Sequence, residues 1–376
     1  MTAPLAFAGG RVFDGAALHD GPCARFEGGT FHGLADAPRT GDRVVDLGGD
    51  VLSPGYVDLQ VNGGGGVMLN ADPSAAALAR IARAHRTMGT VRILPTLITD
   101  TPAATAAAID ATRAAMAEGV SGIAGLHLEG PHLSIARKGA HDEGLIRPMT
   151  DADLAVLLRA KRDLPVLKVT VAPEGVTPDQ TRAMAHAGIL VSLGHTDAPF
   201  EDCIAHVAAG ARCATHLFNA MSQLGSRRPG LVGAALTDGR LSAGLIADGL
   251  HVHPATMRAA WAAKAGPGTL FLVSDAMAVA GTERTGFDLG GRPVERRNGG
   301  LRLADGTLAG ADLDLTRAVR ILVERAGVPL ADALAAATRG PAALAGMAAG
   351  RLVPGHTALC DVIRIRGDLS GPVPVP

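Results

Sequence analysis

The sequence predicts a TIM-like (β/α)8 barrel joined to a small β-sandwich domain formed by both chain ends, and three observations carry that reading. Eight short apolar runs recur between residues 55 and 273, and helix-type patterns separate most of them. The alternating stretch has roughly the 250-residue length of eight β/α units. Outside it, both ends of the chain turn to short β-type segments broken by Gly and Asp, each too short to bury a core alone.

In chain order, the first segments are Leu5 to Ala8, Arg11 to Phe13, Cys23 to Phe26, Thr30 to Leu34 and Arg43 to Leu47. The same texture returns from Gly350 to Ile365, so residues 1–53 and 350–376 are expected to build one sandwich and 54–349 the barrel. The barrel runs are Gly55 to Val61, Val91 to Ile98, Ile123 to Leu128, Leu167 to Val171, Ile189 to Leu193, Cys213 to Leu217, Leu241 to Ile246 and Leu270 to Val273. Between them lie helical patterns at Ser74 to Met88, Ala103 to Ala117, Asp151 to Arg162, Pro178 to Ala187, Pro199 to Ala209 and Pro254 to Ala265. Several open on Pro or Asp, which suit a first helical turn.

Composition narrows the partners. With 35 basic and 36 acidic residues and no Lys/Arg stripe, nothing in the charge calls for nucleic acid. The four cysteines, at 23, 203, 213 and 360, form no CxxC pair, so neither a zinc knuckle nor a disulfide framework is expected and a reducing cytoplasm suits them. No basic leader precedes a long apolar run at the start, and no uninterrupted apolar stretch reaches membrane-spanning length, so neither secretion nor membrane insertion is expected.

Chemistry concentrates at the ends of the apolar runs. In Gly125-Leu126-His127-Leu128-Glu129-Gly130-Pro131, Glu129 stands where a buried strand must stop, and a buried carboxylate needs a cation or strong donors beside it. His195, His216 and Asp275 follow later runs in the same way. A lone His or Asp at such a place is ordinarily structural, a cap or a satisfied imidazole. Four of them at equivalent strand ends, where TIM barrels gather catalytic groups, point instead to a site. Two imidazoles and a carboxylate are also the ligand set of an open catalytic zinc centre.

The segments Pro54 to Gly63, His127-Leu128-Glu129-Gly130-Pro131, Lys138-Gly139-Ala140-His141, Gly194-His195-Thr196, Thr215 to Met221, Ile246 to Val252 and Val273-Ser274-Asp275-Ala276 occur in one order. Together they resemble the N-acetylglucosamine-6-phosphate deacetylase family of the amidohydrolase superfamily. The resemblance implies that Glu129, His195 and His216 hold one divalent metal per subunit, zinc foremost, with iron, cobalt or manganese as alternatives. It further implies that Asp275 is the catalytic acid/base and that His141 meets the substrate carbonyl. Ala140, Asn219, Ala220, His251 and Leu308 match substrate-binding positions, and Arg227 matches an arginine that reaches the neighbouring active site of a homodimer. Arg228 stands where many relatives carry an acid, which leaves open which of the two arginines touches phosphate.

Where two-metal relatives carry His-x-His after the first strand, this chain has Gln60-Val61-Asn62. Amides are poor zinc ligands, so a mononuclear centre is expected, with Gln60 and Asn62 either bonded to a water at the second-metal position or capping the strand end. The Gly63 to Gly66 run lacks the Lys-Ser/Thr of a P-loop and reads as a flexible turn near the site. No GxSxG elbow supports a serine nucleophile. The implied reaction is therefore hydrolysis of the acetamide of N-acetylglucosamine 6-phosphate by metal-activated water. Its C4 epimer is the nearest alternative; a cyclic-amide hydrolase or a non-catalytic scaffold on the same fold stands further off.

Overall fold

The computed structural model describes residues 3–375. Eight parallel strands form one sheet in sequence order: β1 (Tyr56–Val61), β2 (Thr90–Ile98), β3 (Gly125–Glu129), β4 (Val166–Val171), β5 (Leu190–Leu193), β6 (Cys213–Ala214), β7 (Ser242–Leu245) and β8 (Leu270–Leu272). Beyond β8 the chain returns to β1: the Asp275 amide donates to the Gln60 carbonyl at 3.1 Å and the Asn62 amide to Ala276 at 2.9 Å. These bonds close the barrel at its C-terminal rim, which is where the four candidate residues stand.

Helices α1 (Ala75–Thr87), α2 (Pro102–Ala117), α3 (Asp151–Asp163), α4 (Pro178–His186), α5 (Phe200–Ala209), α6 (Gly230–Thr237), α7 (Pro254–Ala263) and α8 (Leu315–Ala326) surround the sheet. Ser74 and Thr101 cap α1 and α2, and full capping boxes at Thr150 and Thr177 open α3 and α4, so these starts are written locally. Helix α6 was not anticipated. Its residues Gly230 to Leu236 are all buried, and a helix apolar on every side has no amphipathic period to read. Helix α8 likewise lies outside the helical patterns of the sequence, although Asp314 and Gly327 cap its two ends. It is followed by α9 (Leu330–Ala337) and α10 (Arg339–Leu344).

The two chain ends do meet. Val362–Ile365 pairs antiparallel with Val51–Pro54 inside a five-stranded sheet. A four-stranded sheet built from Leu5–Ala8, Cys23–Glu27, Thr30–Ala35 and Arg43–Asp46 packs on it around Phe7, Phe26, Phe31, Leu52 and Val362. A further unit absent from the sequence reading is the antiparallel sheet Gly286–Leu289, Arg292–Arg297 and Gly300–Arg302, inserted between β8 and α8. It bends back over the rim, and Arg292 donates to the Ala140 carbonyl at 2.7 Å.

The glycine run after β1 is packed rather than flexible. Gly65 and Gly66 donate to the carbonyls of Ala280 and Ala278, both at 2.8 Å, and a Cβ at Gly63 would lie 2.4 Å from the Val67 carbonyl oxygen. His85 on α1 fixes the same segment through Nε2 and the Gly63 carbonyl, 2.9 Å apart, so Nε2 carries the proton. Burial drives the His85 pKa down to about 4 despite that bond. The unfolded chain therefore binds a proton below pH 6.5 that the folded chain refuses until about pH 4, and stability falls as pH drops through that window, by about 3 kcal/mol from this group. His85→Gln keeps a donor but cannot titrate, so its Tm is expected to fall less than the wild type's between these two pH values in thermal melts. Parallel curves would refute this.

Candidate active site

Glu129 ends β3, His195 and His216 stand two residues beyond β5 and β6, and Asp275 follows β8 by three. All four are buried and line one cavity of about 420 Å³. The chain must turn into this cavity abruptly. Gly130 lies at φ +89°, and a Cβ there would stand 2.2 Å from Thr99 Oγ1. His195, His216 and Asp275 also take positive φ, 47°, 28° and 51°, as do Phe218 and Ala220 on the loop between. Such backbone is strained for non-glycine residues and persists only where the surroundings impose it.

Glu129 Oε1 lies 3.2 Å from His195 Nε2 and 3.0 Å from His216 Nε2, and the two imidazole nitrogens are 3.1 Å apart. His195 Nδ1 faces the Arg137 carbonyl at 2.9 Å; a carbonyl only accepts, so Nδ1 is the donor and Nε2 points a lone pair at the carboxylate. Lone pairs converging at this spacing repel unless a proton or cation lies among them. Atoms each about 2.0–2.2 Å from one ion would be spaced this way, so the donor set fits a single divalent metal in both chemistry and size. His216 Nδ1 is buried without a partner among the described residues, so what binds at Nε2 sets its tautomer.

Electrostatics agree. Burial opposes ionisation of Glu129, yet the imidazoles of His195 and His216 beside it hold its carboxyl well below the usual range. For His216, burial alone would lower the pKa, but the bond and charge of Glu129 outweigh it and raise it. Glu129, His141 and His195 also bring ligand atoms within 4.8 Å of one another. Thr99 faces His141 Nδ1 with its hydroxyl at 2.7 Å and its backbone N–H at 3.3 Å, however, and since the N–H can only donate, Nδ1 accepts and Nε2 carries the ring proton. Burial, followed by the charge of His195, keeps His141 neutral far below the usual histidine range.

Gln60 and Asn62 reach the carboxylates directly: Gln60 Nε2 lies 3.2 Å from both Glu129 oxygens and 3.0 Å from Asp275 Oδ1, and Asn62 Nδ2 donates to that same Oδ1 at 2.7 Å. The two amides tie the carboxylates together where imidazoles would otherwise bind a second ion. They occupy Asp275 Oδ1 and leave Oδ2 without a hydrogen bond among the described residues. Burial, then the charge of Glu129, raises the Asp275 pKa.

The remaining expected residues divide. Ala140, Asn219, Ala220, His251 and Leu308 line the cavity, whereas Arg227 and Arg228 lie on an exposed loop away from it. Asp248 escaped the sequence reading; it holds His251 Nδ1 at 2.6 Å and is itself fixed by the backbone amides of Leu250 and His251, both at 2.8 Å. The Asp248-x-x-His251 spacing was the available signal. Arg302 and Thr307, which come from the inserted sheet and the loop behind it, also line the cavity, and no local pattern marked them. Below it, Thr96, His127, Thr170, Ser192 and Thr215 form one buried hydrogen-bonded floor, with bonds of 2.6–3.1 Å.

A family model described as the amidohydrolase family matches residues 51–363. The chain belongs to the amidohydrolase family. Among characterised amidohydrolases, it is 44% identical to the N-acetylgalactosamine-6-phosphate deacetylase of Shewanella sp. (strain ANA-3), over 77% of this chain and 73% of that one. It is 35% identical to the N-acetylglucosamine-6-phosphate deacetylase of Haemophilus influenzae, over 82% of this chain and 80% of that one. The crystal structure of N-acetylglucosamine-6-phosphate deacetylase from Pasteurella multocida superposes with a TM-score of 0.91 at 31% identity, covering 98% of this chain and 97% of that one. Within this amidohydrolase, no helix among the described residues is long and apolar enough to cross a membrane.

Proposed function

We propose that this amidohydrolase removes the acetyl group of N-acetylglucosamine 6-phosphate to give glucosamine 6-phosphate and acetate, as a cytoplasmic homodimer with one divalent ion, zinc foremost, per subunit. The observation that carries the reading is the triangle of Glu129 Oε1, His195 Nε2 and His216 Nε2, with edges of 3.0–3.2 Å, facing the same cavity as the unbonded oxygen of Asp275.

When bound, a divalent ion supplies acidification of water and polarisation of the acetamide carbonyl. The chain's own residues do the rest. Asp275 Oδ2 takes the proton of the attacking water and returns it to the departing nitrogen, while Gln60 and Asn62 hold Oδ1 and fix the carboxylate's orientation. His141 offers Nε2–H to the carbonyl oxygen as negative charge develops there. At the far end, Asp248 aims His251 at the phosphate, joined by backbone around Ala140, Ala220 and Leu308. Asn219 contributes through backbone, since its amide donors turn back to the carbonyls of His216 and Leu217 at 3.3 and 3.2 Å.

Arg227 would reach the phosphate of a neighbouring subunit. Its exposed loop and the exposed Leu224, Ile135 and Leu250 all follow C-terminal strand ends, an apolar rim suited to a second copy. Arg227→Gln in a chain that sediments as a dimer is expected to raise KM about tenfold or more with little change in kcat; an unchanged KM would remove Arg227 from the site.

The 44% identity to an N-acetylgalactosamine-6-phosphate deacetylase supports a second reading in which the C4 epimer is the preferred substrate. Acetate release from both 6-phosphates and from unphosphorylated N-acetylglucosamine tests the proposal. A higher kcat/KM for the gluco 6-phosphate is expected, a higher value for the galacto epimer would establish the second reading, and equal turnover of the free sugar would overturn the phosphate assignment.

A further inference from the structure

We propose that the opposite, N-terminal end of the barrel carries a second binding site, for an organic phosphate monoester with a non-polar ring or alkyl body. A cavity of about 620 Å³ opens there, beneath the first residues of β7 and β8, Ser242 and Leu270, and against α7, α9 and α10. It is separate from the catalytic cavity, with which it shares no lining residue.

Three cations line it, Lys264, Arg339 and Arg351, against one acid, Asp332. Among the described residues none of the three cations forms an ion pair. Lys264 Nζ meets only the carbonyls of Ala265 and Asp238, at 2.5 and 3.4 Å. Asp332 is the acid that shares the cavity with them, while Asp238 pairs with Arg240 at 2.6 Å and Asp361 grips Arg92 with two bonds of 2.9 Å. Arg339 makes the second, independent observation. Its Nε is buried and has no hydrogen-bond partner among the described residues, an arrangement that costs free energy unless an acceptor arrives.

The charge balance selects the ligand. An excess of two positive charges matches the −1.5 to −2 of a phosphate monoester, and guanidinium groups suit its oxygens as paired donors. Apart from Ser242 and Thr269, the rest of the wall is apolar or glycine: Trp261, Ala335, Ala336 and Leu344 offer a face for the body of the ligand, not its charge.

Trp261 is the only tryptophan in the chain, so its fluorescence reports on this cavity. Titration of the intact protein with inorganic phosphate and with phenyl phosphate is expected to give saturable changes, tighter for phenyl phosphate, with none from chloride at matched ionic strength. Arg339→Gln is expected to weaken binding about tenfold or more, the cost of one charge-assisted hydrogen bond. If that variant fails to fold, Lys264→Gln and the exposed Arg351→Gln carry the same expectation. A linear response, a chloride response of equal size, or an effect lost in His251→Gln but kept in Arg339→Gln would overturn the site, the last by placing the ligand in the catalytic cavity.

Discussion

Asp275→Asn is expected to lower kcat about 10²–10⁴-fold while the protein keeps its full complement of metal. The side chain stays the same size, and an asparagine oxygen can still accept from Gln60 and Asn62, which now lie 3.0 and 2.7 Å from Oδ1. What disappears is the basic oxygen facing the cavity, because an amide nitrogen in its place cannot take a proton from water. Elemental analysis beside acetate-release kinetics separates the two effects. Near-normal turnover would remove Asp275 from the chemistry, and loss of the metal would recast it as a ligand.

Glu129→Gln is expected to abolish both metal retention and activity. Even losing a partner that merely orients a ligand costs 10–100-fold in metal affinity, and this change removes the one carboxylate of the proposed ligand set and turns an amide towards His195 and His216. It also sets one amide beside another, since Gln60 Nε2 now rests 3.2 Å from both carboxylate oxygens. A chelator is expected to remove the stability that the ion confers on the wild type, about 4 kcal/mol if the free ion stands at 1,000 times its Kd, and so to lower its Tm, while leaving the Tm of Glu129→Gln unmoved. A variant that purifies with one ion per subunit would sink the assignment.

Much of this architecture is legible in one dimension. The eight apolar runs become β1 to β8 with shifts of one to three residues, because strands buried on both faces read as unbroken Val/Ile/Leu runs, and the caps of α1 to α4 are local chemistry. Placing Glu129, His195, His216 and Asp275 at strand ends followed from those runs alone. Other features leave no local trace. Nothing near His195, His216 or Asp275 announces a positive φ, since none is Gly or Asn; the barrel around them imposes it. The direct hold of Gln60 on Asp275 spans 215 residues, and Arg292 reaches Ala140 across 152.

The sequence by itself determined which residues could be buried, where each strand had to stop, and that two imidazoles and a carboxylate were the chemistry on offer. Tertiary structure alone decided that they meet, that two amides clasp the carboxylates, and that Asp248 aims His251. Periodicity and capping are fixed by neighbours a turn or a pleat away, whereas convergence depends on barrel closure and strand register, which only the packed chain sets.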